Sequence, residues 1–144
     1  MRKLVPLLFA AAALADAPKP PSTEEALVAS LETAKFVDIT TPNAPKGSQG
    51  AMIGVDPNTK GATAYGKTPA GTGLPAHWHS FAEYTALLSG HGTLKLDGKP
   101  HKVAPGGYFV IPARMVHQFD CDSGADCMLL TRRAGPTDYN FVKQ

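Results

Sequence analysis

Gly71-Thr-Gly-Leu-Pro-Ala-His77-Trp-His79-Ser-Phe-Ala-Glu83-Tyr-Thr-Ala-Leu-Leu-Ser-Gly90 is the most telling run of this chain, because it sets two histidines and a glutamate at even spacing. A strand turns successive side chains to opposite faces. His77, His79, Phe81 and Glu83 therefore share one face if the segment stays extended, and Trp78 points the other way. A second run, Gly106-Gly-Tyr-Phe-Val-Ile-Pro112-Ala-Arg-Met-Val-His117, brings a third imidazole. Imidazole nitrogen and carboxylate oxygen suit manganese, iron, nickel, copper or zinc. His77, His79, Glu83 and His117 are thus the candidate ligands of one divalent transition metal. Six-coordinate geometry would leave two positions for water or substrate. His91, in a Ser-Gly-His-Gly turn, and His101, on a short polar strand, read as solvated groups outside this set.

The two runs resemble the paired motifs of the cupin superfamily. Residues 71–90 match the first motif at every fixed position: glycine, five residues, His-x-His, three residues, glutamate, six residues and glycine. The second motif keeps Gly106, Pro112 and His117, but Arg114 stands where a glycine is usual and Cys121 where an asparagine often follows. Neither departure removes a ligand. The resemblance covers residues 60–133 and implies an all-β, antiparallel jelly-roll barrel in which His77, His79, Glu83 and His117 correspond to the metal ligands. It also resembles small exported cupins whose function is unknown, a likeness that implies no substrate.

A chain of 144 residues is one domain, and its 14 glycines and 13 prolines favour short strands and turns. Arg2-Lys3, the apolar residues 4–15 and an Ala-x-Ala site at Ala13 and Ala15 read as a signal peptide over residues 1–15. The apolar run is too short for a bilayer crossing, which needs about 20 residues, and no cysteine follows to carry a lipid. The protein is therefore expected in the periplasm or outside the cell. Without Arg2 and Lys3 the 14 basic residues become 12, equal to the 12 acidic ones. No basic stripe is left to track phosphates, so nucleic acid is not an expected partner.

Residues 16–35 read as a Pro-rich spacer and a short helix. Ser22-Thr-Glu-Glu25 has the form of a capping box, and a helix over residues 23–34 would place Leu27 and Leu31 on one side. Residues 36–144 form the barrel domain. Runs at 36–40, 51–55 and 62–65 read as early strands, joined by the turn Asp56-Pro-Asn-Thr-Lys-Gly61. Asp97-Gly98 marks the clearest hairpin, between residues 93–96 and 99–103. Residues 117–131 resemble two strands around a polar five-residue loop. Such a hairpin sets Cys121 opposite Cys127, Phe119 opposite Leu129 and His117 opposite Thr131. Export makes a Cys121–Cys127 disulfide the expectation, against two buried free thiols or a Cys121 thiolate beside the metal.

Strand parity brings Phe81, Thr85 and Leu87 inward with the ligands, and the second hairpin adds Phe119 and Leu129, giving an apolar pocket around the metal. This holds if no bulge intervenes between residues 80 and 87. Trp78, facing away, is assigned to packing against the helix or a second subunit, which leaves a homodimer open. Arg114 reads as a solvated loop residue or as a cover for an anionic ligand. Tyr65, Tyr84 and Tyr108 read as core or interface aromatics. Two function classes fit: a metal-dependent enzyme, of dioxygenase or isomerase type by resemblance, and a non-catalytic periplasmic binder or sensor of metal or a small molecule. The sequence shows no second acid–base constellation to choose between them, and one fold hosts many chemistries.

Overall fold

Asp97 and Gly98 both take positive φ, 47° and 81°. That is the conformation of a type I′ turn, whose twist matches the strands it joins. The hairpin expected there forms in full register, with Leu96 opposite Lys99 and Gly92 opposite Val103. Similar punctuation divides the rest of the chain. In the 56–61 turn the Asp56 carboxylate accepts from the backbone of Asn58 and Thr59 at 2.8 and 3.0 Å, a local bond that competes with continued pairing.

The computed structural model describes residues 26–143. Their strands are β1 (Val37–Asp38), β2 (Gln49–Val55), β3 (Ala62–Thr68), β4 (His77–Trp78), β5 (Glu83–Ser89), β6 (Gly92–Leu96), β7 (Lys99–Val103), β8 (Tyr108–Ile111), β9 (His117–Cys121), β10 (Cys127–Arg133) and β11 (Asn140–Phe141). They form two antiparallel sheets, one ordered β1-β2-β3-β10-β5-β8 and the other β11-β4-β9-β6-β7. This is the expected all-β jelly roll. The inner faces meet over Leu87, Cys121 and Cys127, against which Val103, Phe119 and Leu129 pack.

Three expectations change in detail. The helix over residues 23–34 is one turn of 3-10 helix, Leu31–Thr33, preceded by irregular chain from residue 26. Leu27 and Leu31 remain exposed, so that segment lacks the tertiary packing a short helix needs. Residues 1–25, with the expected signal peptide and capping box, lie outside the described residues.

The hairpin expected over residues 117–131 is instead a crossing between sheets. β9 pairs with β4 and β6, whereas β10 pairs with β3 and β5. The crossing gives each strand two hydrogen-bonded neighbours and leaves neither with an open edge. Cys121 and Cys127 lie on opposite sheets at disulfide distance, Sγ to Sγ 2.14 Å.

Residues 77–87 do not form one extended strand either. β4 belongs to the five-stranded sheet and β5 to the six-stranded sheet, and the chain bends over residues 80–82. Phe81 is displaced to the surface, 42 % exposed. It lies where Gly135 leaves room, since a Cβ there would meet its ring. Alternation resumes in β5, where Glu83, Thr85 and Leu87 are buried.

The bond from Cys121 to Cys127 closes a short loop but ties one sheet to the other. Replacing both residues with alanine should lower unfolding stability by about 2–3 kcal/mol and retain the far-ultraviolet circular dichroism spectrum. Urea melts in oxidising buffer check this; an unchanged midpoint would show that the pair does not brace the sheets.

Candidate metal centre

His77 and His117 are direct cross-strand partners on β4 and β9, with ring centroids 4.3 Å apart. His79 follows just beyond β4, its ring 4.8 Å from His77 and 4.9 Å from His117. All three are buried, and a donor atom from each lies within 4.8 Å of the others. Each imidazole uses Nδ1 to reach a backbone carbonyl: His77 that of Pro75 at 2.7 Å, His117 that of Met115 at 3.0 Å, and His79 that of Asp138. A carbonyl oxygen only accepts, so Nδ1 carries the proton and Nε2 of the neutral ring carries the lone pair. Backbone hydrogen bonding thus sets the tautomer and orientation of all three rings, as outer contacts do around bound metals.

Burial depresses His77 to a pKa of about 4; its bond to Pro75 opposes the shift, and His117 and His79 add to it. Burial likewise lowers His117, partly offset by its bond to Met115. Imidazoles held neutral are imidazoles ready to ligate. His79 Nε2 is buried without a well-formed hydrogen bond, although Glu83 Oε2 stands 3.2 Å away. An unsatisfied buried nitrogen of this kind is what a cation would satisfy. The donor set and its support fit a divalent transition metal.

Glu83 arrives from the opposite sheet. Thr85 donates its hydroxyl to Glu83 Oε1 at 2.7 Å and shares a 2.9 Å hydrogen bond with the Thr131 hydroxyl. Glu83 Oε2 lies 2.6 Å from Arg133 Nη1, 3.2 Å from His79 Nε2 and 3.9 Å from His117 Nε2. Burial would raise the Glu83 pKa, but His79, Arg133, Thr85 and His117 outweigh it and hold the carboxyl at about 2. The tight mutual cluster of donors is the three histidines, with Glu83 beside them. The structure therefore brings all four expected ligands to one place, and Glu83 comes already engaged by a guanidinium.

Next to the centre, between the sheets, is a cavity of about 300 Å³ whose lining includes His77, Glu83 and His117. Of the pocket residues read from sequence, Phe119 and Leu129 line it. Three do not. Phe81 is outside the sheets, Leu87 packs in the core beside the two cysteines, and Thr85 serves as the hydroxyl that fixes Glu83. The bend after β4 accounts for the first. The second and third point inward but are covered completely by their neighbours.

Sequence reasoning missed Arg133, Tyr139 and Asp138. Arg133 faces Glu83 in the β10–β5 register and places its guanidinium 5.7 Å from the Tyr139 ring centroid. Tyr139 also packs against His77 and His79. Asp138 supplies the carbonyl beneath His79, and its carboxylate accepts from Ser80 N at 2.9 Å and Ser80 Oγ at 2.6 Å. The Ser80 side-chain bond is the main cause of its lowered pKa. One signal for Arg133 was present: alternation through Leu129 and Thr131 reaches it on the inward face.

Arg114 has φ 66°, the left-handed region that glycine adopts most freely. That explains why a glycine is usual at this motif position. Its N–H donates to the His79 carbonyl at 2.8 Å, and its guanidinium lies 5.4 Å from the Trp78 ring centroid. Arg114 therefore neither covers the cavity nor is merely solvated. Trp78, expected against a helix or second subunit, packs against this arginine. His91 and His101 are exposed, as expected. Among the described residues no helix is long and apolar enough to cross a membrane.

A family model described as Cupin domain matches residues 65–131. No curated protein sequence matches the chain. Among solved structures, the polyketide cyclase RemF from Streptomyces resistomycificus is similar at 19% identity and TM-score 0.68, over 83% of this chain and 87% of that one. A cupin-2 domain protein from Rhodospirillum rubrum is similar at 17% identity and TM-score 0.65, over 88% and 86%. KdgF from Halomonas sp. follows at 15% identity and TM-score 0.62, over 78% and 94%. Identities this low speak for the fold alone. With the domain match over residues 65–131 and the two facing sheets, they show that this chain has a cupin-type jelly-roll fold.

Proposed function

We propose that this protein is an exported cupin that holds one divalent transition metal on His77, His79 and His117, with Glu83 in reach to complete the set, and binds or transforms a small molecule in the adjoining cavity. The observation that carries the reading is the trio of buried imidazoles whose Nδ1 atoms all rest on backbone carbonyls, presenting three Nε2 lone pairs to one region. Manganese, iron, nickel, copper and zinc all suit such a set. A bound metal would supply Lewis-acid or redox chemistry to an oxygen-bearing ligand.

The chain's own residues do the rest. Thr85 donates a hydrogen bond to one oxygen of Glu83 and the Arg133 guanidinium pairs by charge with the other, so the carboxylate is held in place before any ligand enters. Phe109, Phe119, Leu129 and Ile111 line the cavity with apolar surface that displaces water from the ligand. Tyr139 packs on two of the imidazoles and on Arg133, which keeps their rings in one orientation. The cavity beside the histidines favours small-molecule chemistry over simple metal storage. Export is supported by the cysteine pair at disulfide distance, which suits an oxidising compartment.

Elemental analysis of protein exported by its own signal should find one transition metal per chain. Changing His79 to alanine should weaken metal affinity by roughly 100-fold, the upper end of losses from disturbing a metal's supporting groups, while the β-sheet spectrum persists. Full metal content in that variant would refute the assignment. Oxygen-uptake and isomerisation assays on small phenols and enols then separate the two classes. Turnover identifies an enzyme, and zinc with no turnover identifies a binder or sensor.

Metal-free protein should also show an acid response. An ordinary histidine takes its proton near pH 6.5 when unfolded, but folded His77 refuses it until about pH 4. The unfolded chain then binds more protons, so stability falls as pH drops through that window. Roughly 3 kcal/mol should be lost from this residue between pH 7 and pH 4, with Glu83 adding to the loss below its unfolded value of 4.5. Denaturant melts across pH test it, and a flat profile over that range would mean that the imidazole is not held neutral.

A further inference from the structure

Pairing with Glu83 engages only one nitrogen of Arg133. Its side chain is buried, it lines the cavity, and its guanidinium carries five N–H donors. Glu83 approaches Nη1 at 2.6 Å, but the angle is too poor for a hydrogen bond and Nη1 is left unsatisfied. Among the described residues no other acceptor takes a proton from Arg133. A buried guanidinium with one ill-aligned partner and room in front of it has unspent capacity for a second anion.

Charge balance points the same way. Arg133 and Glu83 cancel as a pair, and imidazoles that ligate a cation do so as neutral rings. A dication bound there would leave a net double positive charge at the end of an apolar cavity, and buried charge requires a counterion. The lining carries the aromatic rings of Tyr65, Phe109, Phe119 and Tyr139. Phe109 and Phe119 are stacked with their planes 19° apart. Flat apolar walls of this kind favour a flat apolar body.

We propose that Arg133 is the anion anchor of this cavity, so that the ligand is a small, flat molecule bearing a carboxylate or enolate oxygen. The anionic oxygen sits between the guanidinium and the histidine cluster, and the ring lies among the aromatic side chains. This rests on the metal reading above for the strength of binding, but the role of Arg133 is testable without metal.

The probe pair is benzoate and benzamide, which share a shape and differ in charge, titrated calorimetrically into zinc-loaded protein. Benzoate should bind roughly tenfold tighter, the return from one charge-assisted hydrogen bond. Arg133→Met should remove about that factor for benzoate, leave benzamide unchanged, and keep the zinc stoichiometry. Arg133→Lys, which retains the charge, should recover part of the loss. Equal weakening of both probes would assign Arg133 a structural role and overturn the proposal, as would wild-type protein that does not prefer benzoate.

Arg133→Met leaves Glu83 buried without its partner and risks unfolding, so a second arm uses metal-free protein. Glu83→Gln preserves shape and releases the guanidinium. It should bind benzoate roughly tenfold more tightly than metal-free wild type, and adding Arg133→Met should abolish the gain. No gain in Glu83→Gln overturns the anchor. Failure of wild type to take up zinc sinks the metal reading alone, since the metal-free arm still judges Arg133.

Discussion

Hydrogen bonding from imidazole Nδ1 to backbone carbonyl is the constraint on which the site depends. A free histidine exchanges its proton between two nitrogens and rotates about χ2, so three histidines brought together by a fold would present a mixture of donors and lone pairs. Here the carbonyls of Pro75, Asp138 and Met115 each take the Nδ1 proton. For His77 and His117 the acceptor lies two residues earlier in the chain, so the local backbone path that positions the ring also fixes its tautomer. His79 depends instead on a segment 59 residues away. That segment is held by Ser80 and Asn140 bonding the Asp138 carboxylate and by β11 pairing with β4. The C-terminal strand is therefore part of the site and not merely edge cover.

The opposition of two sheets supplies the second ingredient. One sheet delivers the imidazoles, and the other delivers Glu83, Thr85, Thr131 and Arg133. The histidine trio comes from one sheet, but Glu83 and the groups that hold it come only from the other. The separation of the sheets is consequently a functional distance, and it is fixed at one end by the core of Leu87, Cys121 and Cys127. The disulfide spans that end, with the Cα atoms 5.8 Å apart. Apolar packing and a covalent tie close one end, while the other stays wide enough for a cavity.

Much of this was legible in the chain. The His-x-His run with Glu83 and His117, the Asp-Gly hairpin and the succession of short strands each follow from local rules of spacing and turn chemistry. What escaped was non-local. A five-residue connection between β9 and β10 reads the same whether the strands pair or part company, because the choice rests on the partners β3, β4, β5 and β6. The bend after His79 escaped for a related reason: the even spacing of His77, His79, Phe81 and Glu83 counts straight across it and masks the change of sheet. Phe81 was placed inward on that alternation and is out.

Arg133 shows how composition rules hide a functional group. An arginine at the end of a strand is read as a solvated terminus, since arginine is rarely buried without a partner. The same alternation that misled at Phe81 was reliable along β10, where Leu129, Thr131 and Arg133 all line the cavity. The difference lies in pairing. β10 is bonded on both sides over nearly its whole length, so its side-chain period cannot drift, whereas residues 79–82 have no continuous strand partner. Close contact enforces the position too, since a Cβ on Gly61 would run into the Arg133 carbonyl. Parity is thus evidence about a site in proportion to how firmly the strand is held, and a charged residue on a doubly paired central strand merits attention even where composition argues against it.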